Sequence, residues 1–82
     1  MKQLLYFHAP SCAPCAALKP MIAQLQMEMT IISIDTDVSY QRAKTWNIQN
    51  VPTILLISNA MELGRLVGGS ITADAIRKLY KQ

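Results

Sequence analysis

Cysteine, histidine and acidic residues are all scarce in this sequence. Its 82 residues include only two cysteines, one histidine and five acidic side chains. Two cysteines cannot build the multi-bridge framework of a small secreted scaffold, and one reversible pair suits the cytosol. Zinc wants four ligands, and the nearby set is only Cys12, Cys15 and His8. A metal centre would therefore need a dimer to complete it, and none is expected. Long apolar runs are missing too. The longest, Val51 to Ile57, is far too short to span a bilayer. Leu4-Leu5-Tyr6-Phe7 is too short for the apolar part of a secretory leader, and no small-residue cleavage site suits it. These absences lead to the expectation of a cytoplasmic protein with no membrane partner. No internal repeat, linker or low-complexity segment is visible.

What is present points to one compact domain over residues 1–82. Hydrophobic residues make up 51% of the chain, too many for a disordered segment. The net charge of +3 favours encounters with acidic partners. The basic residues are scattered, and only the Arg77–Lys81 end resembles a patch. That end lies on a helical pattern with Ile76, Leu79 and Tyr80, so it reads as a solvated helix face rather than a nucleic-acid contact.

Both cysteines fall in one short stretch, Cys12-Ala13-Pro14-Cys15. Residues at i and i+3 share a helix face, so two thiols so placed can close a small disulfide ring or open it again. The motif reads first as redox-active and second as half of a metal site.

Around it the pattern predicts a βαβ unit, a helix, two strands and a last helix. Leu4–Phe7 reads as a buried strand. A helix begins at the motif, with Leu18, Met21, Ile22, Leu25 and Met29 as its apolar stripe and Pro20 as a kink. Ile31–Ile34 reads as a second strand. Ser39–Trp46 reads as a short helix capped by Asp37 or Ser39. Thr53–Ser58 reads as a central strand, and Leu63–Val67 as its hairpin partner across Asn59-Ala60. Gly68-Gly69 breaks that strand, and Thr72 caps the last helix. The class is α/β: a four-stranded mixed sheet flanked by three helices. Trp46 and the Met21–Met29 set read as core.

Phe7 to Cys15 followed by Pro20, then Trp46 to Thr53, then Val67-Gly68-Gly69, together resemble the thioredoxin superfamily over essentially the whole chain. Within it, the chain is most similar to the small thioredoxins and glutaredoxin-like proteins of microbes and phages. The resemblance implies a cis bond before Pro52, with Val51 beside the cysteines and its backbone pairing with an extended substrate segment. Base rates alone would make Val51–Pro52 trans. Gly68 joins that substrate-binding set, although its glycine pair reads chiefly as a backbone device. Two positions depart from the family. Ser11 replaces the usual tryptophan, and Tyr6 replaces a buried aspartate.

The resemblance implies a thiol-disulfide oxidoreductase that reduces protein disulfides, with no cofactor beyond the Cys12–Cys15 disulfide. Cys12, at the helix start, is the expected nucleophile, because unpaired amides and the helix dipole favour a thiolate there. Cys15 is the expected resolving thiol. Pro14 suits a first helical turn. Tyr6 reads chiefly as core packing, with a hydroxyl able to reach water near Cys15. His8 reads chiefly as a solvated loop histidine that could tune the Cys12 thiolate or shuttle a proton. The implied partners are protein disulfides, ribonucleotide reductase among them by family analogy, and a thioredoxin reductase or glutathione as electron donor. The protein is expected to act as a monomer in electron transport and cell redox homeostasis. Alternatives are a glutathione-dependent, glutaredoxin-like enzyme, a thioredoxin-fold interaction subunit whose thiols are incidental, and a dimeric metal-binding protein. Ser70-Ile71-Thr72 follows the glycine pair where glutaredoxins carry an acidic pair, which weakens a glutathione site.

Overall fold

A computed structural model describes all residues, 1–82. Its elements are β1 (Lys2–His8), α1 (Ala13–Leu25), β2 (Ile31–Asp35), α2 (Tyr40–Thr45), β3 (Thr53–Ser58), β4 (Met61–Val67) and α3 (Ala73–Tyr80). The predicted order is therefore observed. The sheet runs β2-β1-β3-β4, parallel between β1 and β2 and antiparallel elsewhere.

Central position explains the two uninterrupted apolar runs. Leu4–Phe7 and Thr53–Ile57 are buried on both faces of the sheet. Alternation then sorts their side chains between two cores. Leu4, Tyr6, Ile54 and Leu56 pack with Ile22 and Leu25 of α1 and Ile76 and Leu79 of α3. Leu5, Phe7, Leu55 and Ile57 pack on the other face with Ile34 and with Ala43 of α2. Trp46 packs partly buried against this second core.

Several boundaries differ from expectation, for local reasons. β1 extends from Leu4 back to Lys2 because the polar flank keeps pairing, Lys2 with Ser58 and Gln3 with Ile57. β4 starts at Met61 rather than Leu63, with a bulge against Leu56/Ile57 that absorbs one residue. The hairpin turns through Asn59 at φ 53° and Ala60 at φ 65°, the left-handed pair a two-residue hairpin demands. Ser39 occupies the cap position of α2, but its side chain makes no capping bond. Asp37 does not cap α2 either; its amide donates to Asp35 Oδ1 at 2.8 Å. The apolar stripe of α1 ends at Leu25, so Met29 packs on the first core from the following turn. Met27, read as core, is 87% exposed.

Two ends are fastened, one by the cap the sequence suggests and one by a contact it does not. Thr72 Oγ1 accepts the Ala75 amide at 3.1 Å and caps α3, a bond worth about 1 kcal/mol. The Lys2 ammonium donates to the Tyr80 carbonyl at 2.7 Å and ties β1 to the end of α3. Gly64 sits where a Cβ would come within 2.8 Å of Leu79 Cδ1, so a side chain there would push that methyl aside at the α3–β4 contact. No helix is long and apolar enough to cross a membrane.

Candidate active site

β1 runs through His8, which is a strand residue paired with Asp35 rather than the loop residue expected, and the chain turns through Ala9–Ser11 before α1. The Cys12 amide donates to the Ala9 carbonyl at 3.1 Å and closes that turn. Cys12 then becomes the N-cap of α1, and its carbonyl accepts the Ala16 amide. Cys12 and Cys15 are joined in a disulfide with their Cα atoms 5.2 Å apart. The Cys12 sulfur also accepts the Cys15 amide at 3.1 Å. It thus occupies the place where an N-cap oxygen would satisfy an orphan amide. A negative charge on this sulfur would face the positive end of the helix. Pro14 lies in the first turn, exposed, where its missing N–H leaves no bond unmade.

The two sulfurs are unequal. Cys15 is buried at 5% exposure, whereas Cys12 is half-buried and reachable from solvent. Beneath Cys15 lies Tyr6, only 4% exposed, whose hydroxyl donates to the Cys15 carbonyl at 3.3 Å. Tyr6 is thus both core packing and a tether for the Cys15 backbone. The His8 ring stacks on the Tyr6 ring, with centroids 5.2 Å apart.

Burial pushes the Tyr6 hydroxyl above the ordinary tyrosine value. The folded chain therefore prefers the neutral phenol. Its contribution to stability is fully present below the unfolded value of about 10 and is lost as pH rises through the folded value. Tyr6→Phe is expected to lower stability by about 1 kcal/mol at neutral pH, the worth of one hydrogen bond. The variant should then lose less further stability than the parent above about pH 10. Urea midpoints at neutral and alkaline pH would show this, and equal slopes for both proteins would refute it.

A cavity of about 450 Å³ opens beside the disulfide, between β1, α1 and β2. Cys12, Cys15, Tyr6 and His8 all line it. So do Lys19 and Asp35, which the sequence reading did not single out. Alternation along β2 hints that Ser33 and Asp35 share a face, but which face requires the pairing with β1. No group of three or more His, Cys, Asp or Glu side chains is placed to hold a metal ion.

Val51, Pro52 and Gly68 lie outside this cavity. Phe7 pairs with Thr53, so Pro52 enters the sheet at the same end where the chain leaves for the cysteines. The Val51–Pro52 bond is cis, as the resemblance implied. Gly68, at φ 58°, donates its amide to the Pro52 carbonyl at 2.9 Å, a conformation that favours glycine. Thr53 Oγ1 donates to the Asn50 carbonyl at 2.7 Å. Arg65 adds a clamp that the sequence reading missed: it binds Glu62 at 2.6 Å and the Trp46 carbonyl at 3.0 Å. These bonds hold the loop while the Val51 amide and carbonyl make no backbone hydrogen bond within the chain.

Comparison with known proteins agrees with this geometry. The family model described as Thioredoxin matches residues 1–82. A thioredoxin of Chlamydia trachomatis is 34% identical over 68 residues, covering 79% of this chain and 67% of that protein. A TPR repeat-containing thioredoxin of Arabidopsis thaliana is 32% identical over 68 residues, 79% of this chain but only 18% of that longer protein. Among solved structures, a mutant thioredoxin from Halobacterium salinarum superposes with a TM-score of 0.88 at 27% identity, over 98% of this chain and 72% of that one.

Proposed function

This chain belongs to the thioredoxin family and carries the dithiol–disulfide pair of a protein thiol-disulfide oxidoreductase; from that premise we propose that it works as a reductase, with Cys12 attacking and Cys15 resolving. The observation that carries this reading is the Cys12 sulfur at the N-cap of α1, reachable from solvent and accepting an amide hydrogen. Helix N-termini lower thiol values into the range ~3.5–7.5, which makes a thiolate available at neutral pH.

The Cys12 thiolate attacks a sulfur of the substrate disulfide. A Cys12–substrate disulfide forms, and the first substrate thiolate leaves. Cys15 then loses its proton and attacks the Cys12 sulfur. The second substrate thiol is released, and the Cys12–Cys15 disulfide is restored. Two electrons pass from the dithiol to the substrate, and a donor must return them. The short Ala13-Pro14 spacer makes the second attack intramolecular.

Protein substrates dock as an extended segment along Val51, whose free amide and carbonyl suit strand addition beside the cis-proline. Gly68 supports that loop through the Pro52 carbonyl. This recognition reads backbone more than side chains, so it suits several substrates. A dithiol-dependent enzyme such as ribonucleotide reductase is an acceptor by family analogy. The working form is a monomer in the cytosol, without a cofactor beyond its own disulfide.

Insulin-disulfide reduction is the direct test, run in parallel with a thioredoxin reductase system and a glutathione system as donors. Turnover is expected with the first and much less with the second. Glutathione-driven turnover alone would make the protein glutaredoxin-like. Turnover with neither would overturn the reductase reading.

A further inference from the structure

Cys15 is buried, and a thiol must lose its proton before it can attack. The chain must therefore hold a proton acceptor within reach. A cavity opens beside Cys15, and each wall contributes titratable or charged groups: Tyr6 and His8 from β1, Lys19 from α1 and Asp35 from β2. Tyr6 is unsuited, because its hydroxyl is already a donor to the Cys15 carbonyl. A lysine ammonium has no lone pair to accept with. His8 and Asp35 remain.

These two are register partners on adjacent parallel strands and line the same cavity. Parallel pairing puts matched side chains on one face of the sheet. The His8 ring also stacks on Tyr6, the residue whose hydroxyl reaches Cys15. Asp35 is already engaged in its own loop, where its Oδ1 accepts the Asp37 amide at 2.8 Å, which leaves His8 as the acceptor.

We propose, resting on the reading of Cys15 as the resolving thiol, that His8 is its proton acceptor. An imidazole nitrogen of His8 takes the Cys15 proton, directly or through water in the cavity. The Cys15 thiolate attacks the Cys12 sulfur of the mixed disulfide. The Cys12–Cys15 bond forms, the Cys12–substrate bond breaks, and the departing thiolate takes the proton back from the imidazolium. The cavity has ample volume for bridging water, whose share of the liquid is about 30 Å³.

The test is a stopped-flow reaction of the reduced protein with one equivalent of 5,5′-dithiobis(2-nitrobenzoate). The first thionitrobenzoate reports capping of Cys12, and the second reports attack by Cys15. In the unaltered chain the second rate is expected to rise through a one-proton step between pH 5 and 8, where histidine changes charge. In His8→Gln, and in His8→Phe which keeps a ring over Tyr6, that step disappears. The ratio of second to first rate falls about 10²-fold at pH 7, the lower end of general-base effects. Asp35→Asn keeps the step. The proposal is overturned if the step survives in both His8 variants, or if both phases slow together. It is equally overturned if only Asp35→Asn removes the step, which would make the carboxylate the acceptor. Absence of any second phase in the unaltered chain is a separate result: it removes the resolving role of Cys15, and this proposal with it.

Discussion

Cys12→Ser is expected to lose disulfide reduction down to the uncatalysed background, whereas Cys15→Ser is expected to stop halfway and accumulate a covalent adduct. The asymmetry follows from the geometry. Cys12 is the half-buried sulfur at the helix start, and Cys15 is buried beneath it. A serine hydroxyl at position 12 has no comparable anion to offer at neutral pH, so no mixed disulfide forms. A serine at position 15 leaves the first attack intact but removes the second nucleophile. The Cys15→Ser protein should therefore gain the mass of one substrate thiol per chain, and a reducing agent should remove it. Mass spectrometry under non-reducing conditions reads both outcomes. An adduct on Cys15 in the Cys12→Ser protein, at the rate of the parent, would reverse the roles. Full turnover in both single variants would leave the fold as an interaction module with incidental thiols.

Phe7→Ala is expected to produce the largest loss of stability. Phe7 is fully buried in the second core, among Leu5, Ile34, Leu55 and Ala43. Removing such a ring typically costs about 3–5 kcal/mol, from lost transfer energy plus the cavity left behind. The helix covering this face, α2, has six residues and buries only Ala43, so little material can relax into the gap. A small domain holds only ~5–15 kcal/mol in total. The melting temperature should fall by about 12 °C or more, at ~4 °C or more per kcal/mol for a domain of this size. Val67→Ala, at a side chain 40% exposed, serves as the control and should change stability by no more than about 0.5 kcal/mol. Calorimetry on the two variants decides it. A loss below about 1 kcal/mol for Phe7→Ala would show that the second core repacks freely.

Phe7 also links stability to the site. It lies on β1 directly before His8, and it pairs with Thr53, which follows the cis-proline. Loosening this register would displace both halves of the site together.

The elements were legible in the sequence because their signals are local. The apolar runs Leu4–Phe7 and Thr53–Ser58, the Thr72 cap and the Gly68-Gly69 break each depend on neighbours a few residues away. Boundaries were less legible where pairing overrode composition. Lys2 and Gln3 look like a polar lead-in, yet they complete a ladder against β3. Met61 looks like part of a turn, yet a bulge carries β4 back to it. Ser39 and Asp37 both resemble helix caps, and neither makes the capping bond.

The sequence by itself determined the dithiol. Two cysteines at i and i+3, followed by an apolar helical stripe, place a sulfur at a helix start whatever surrounds it, because N-terminal amides are a property of the helix alone. Only the tertiary structure decided what stands around that dithiol. It put Tyr6 beneath the Cys15 carbonyl, brought Asp35 into register with His8, and drew Gly68 onto the Pro52 carbonyl. These contacts join residues far apart in the chain. Their register follows from burying whole sheet faces at once, a condition that no short window of sequence contains.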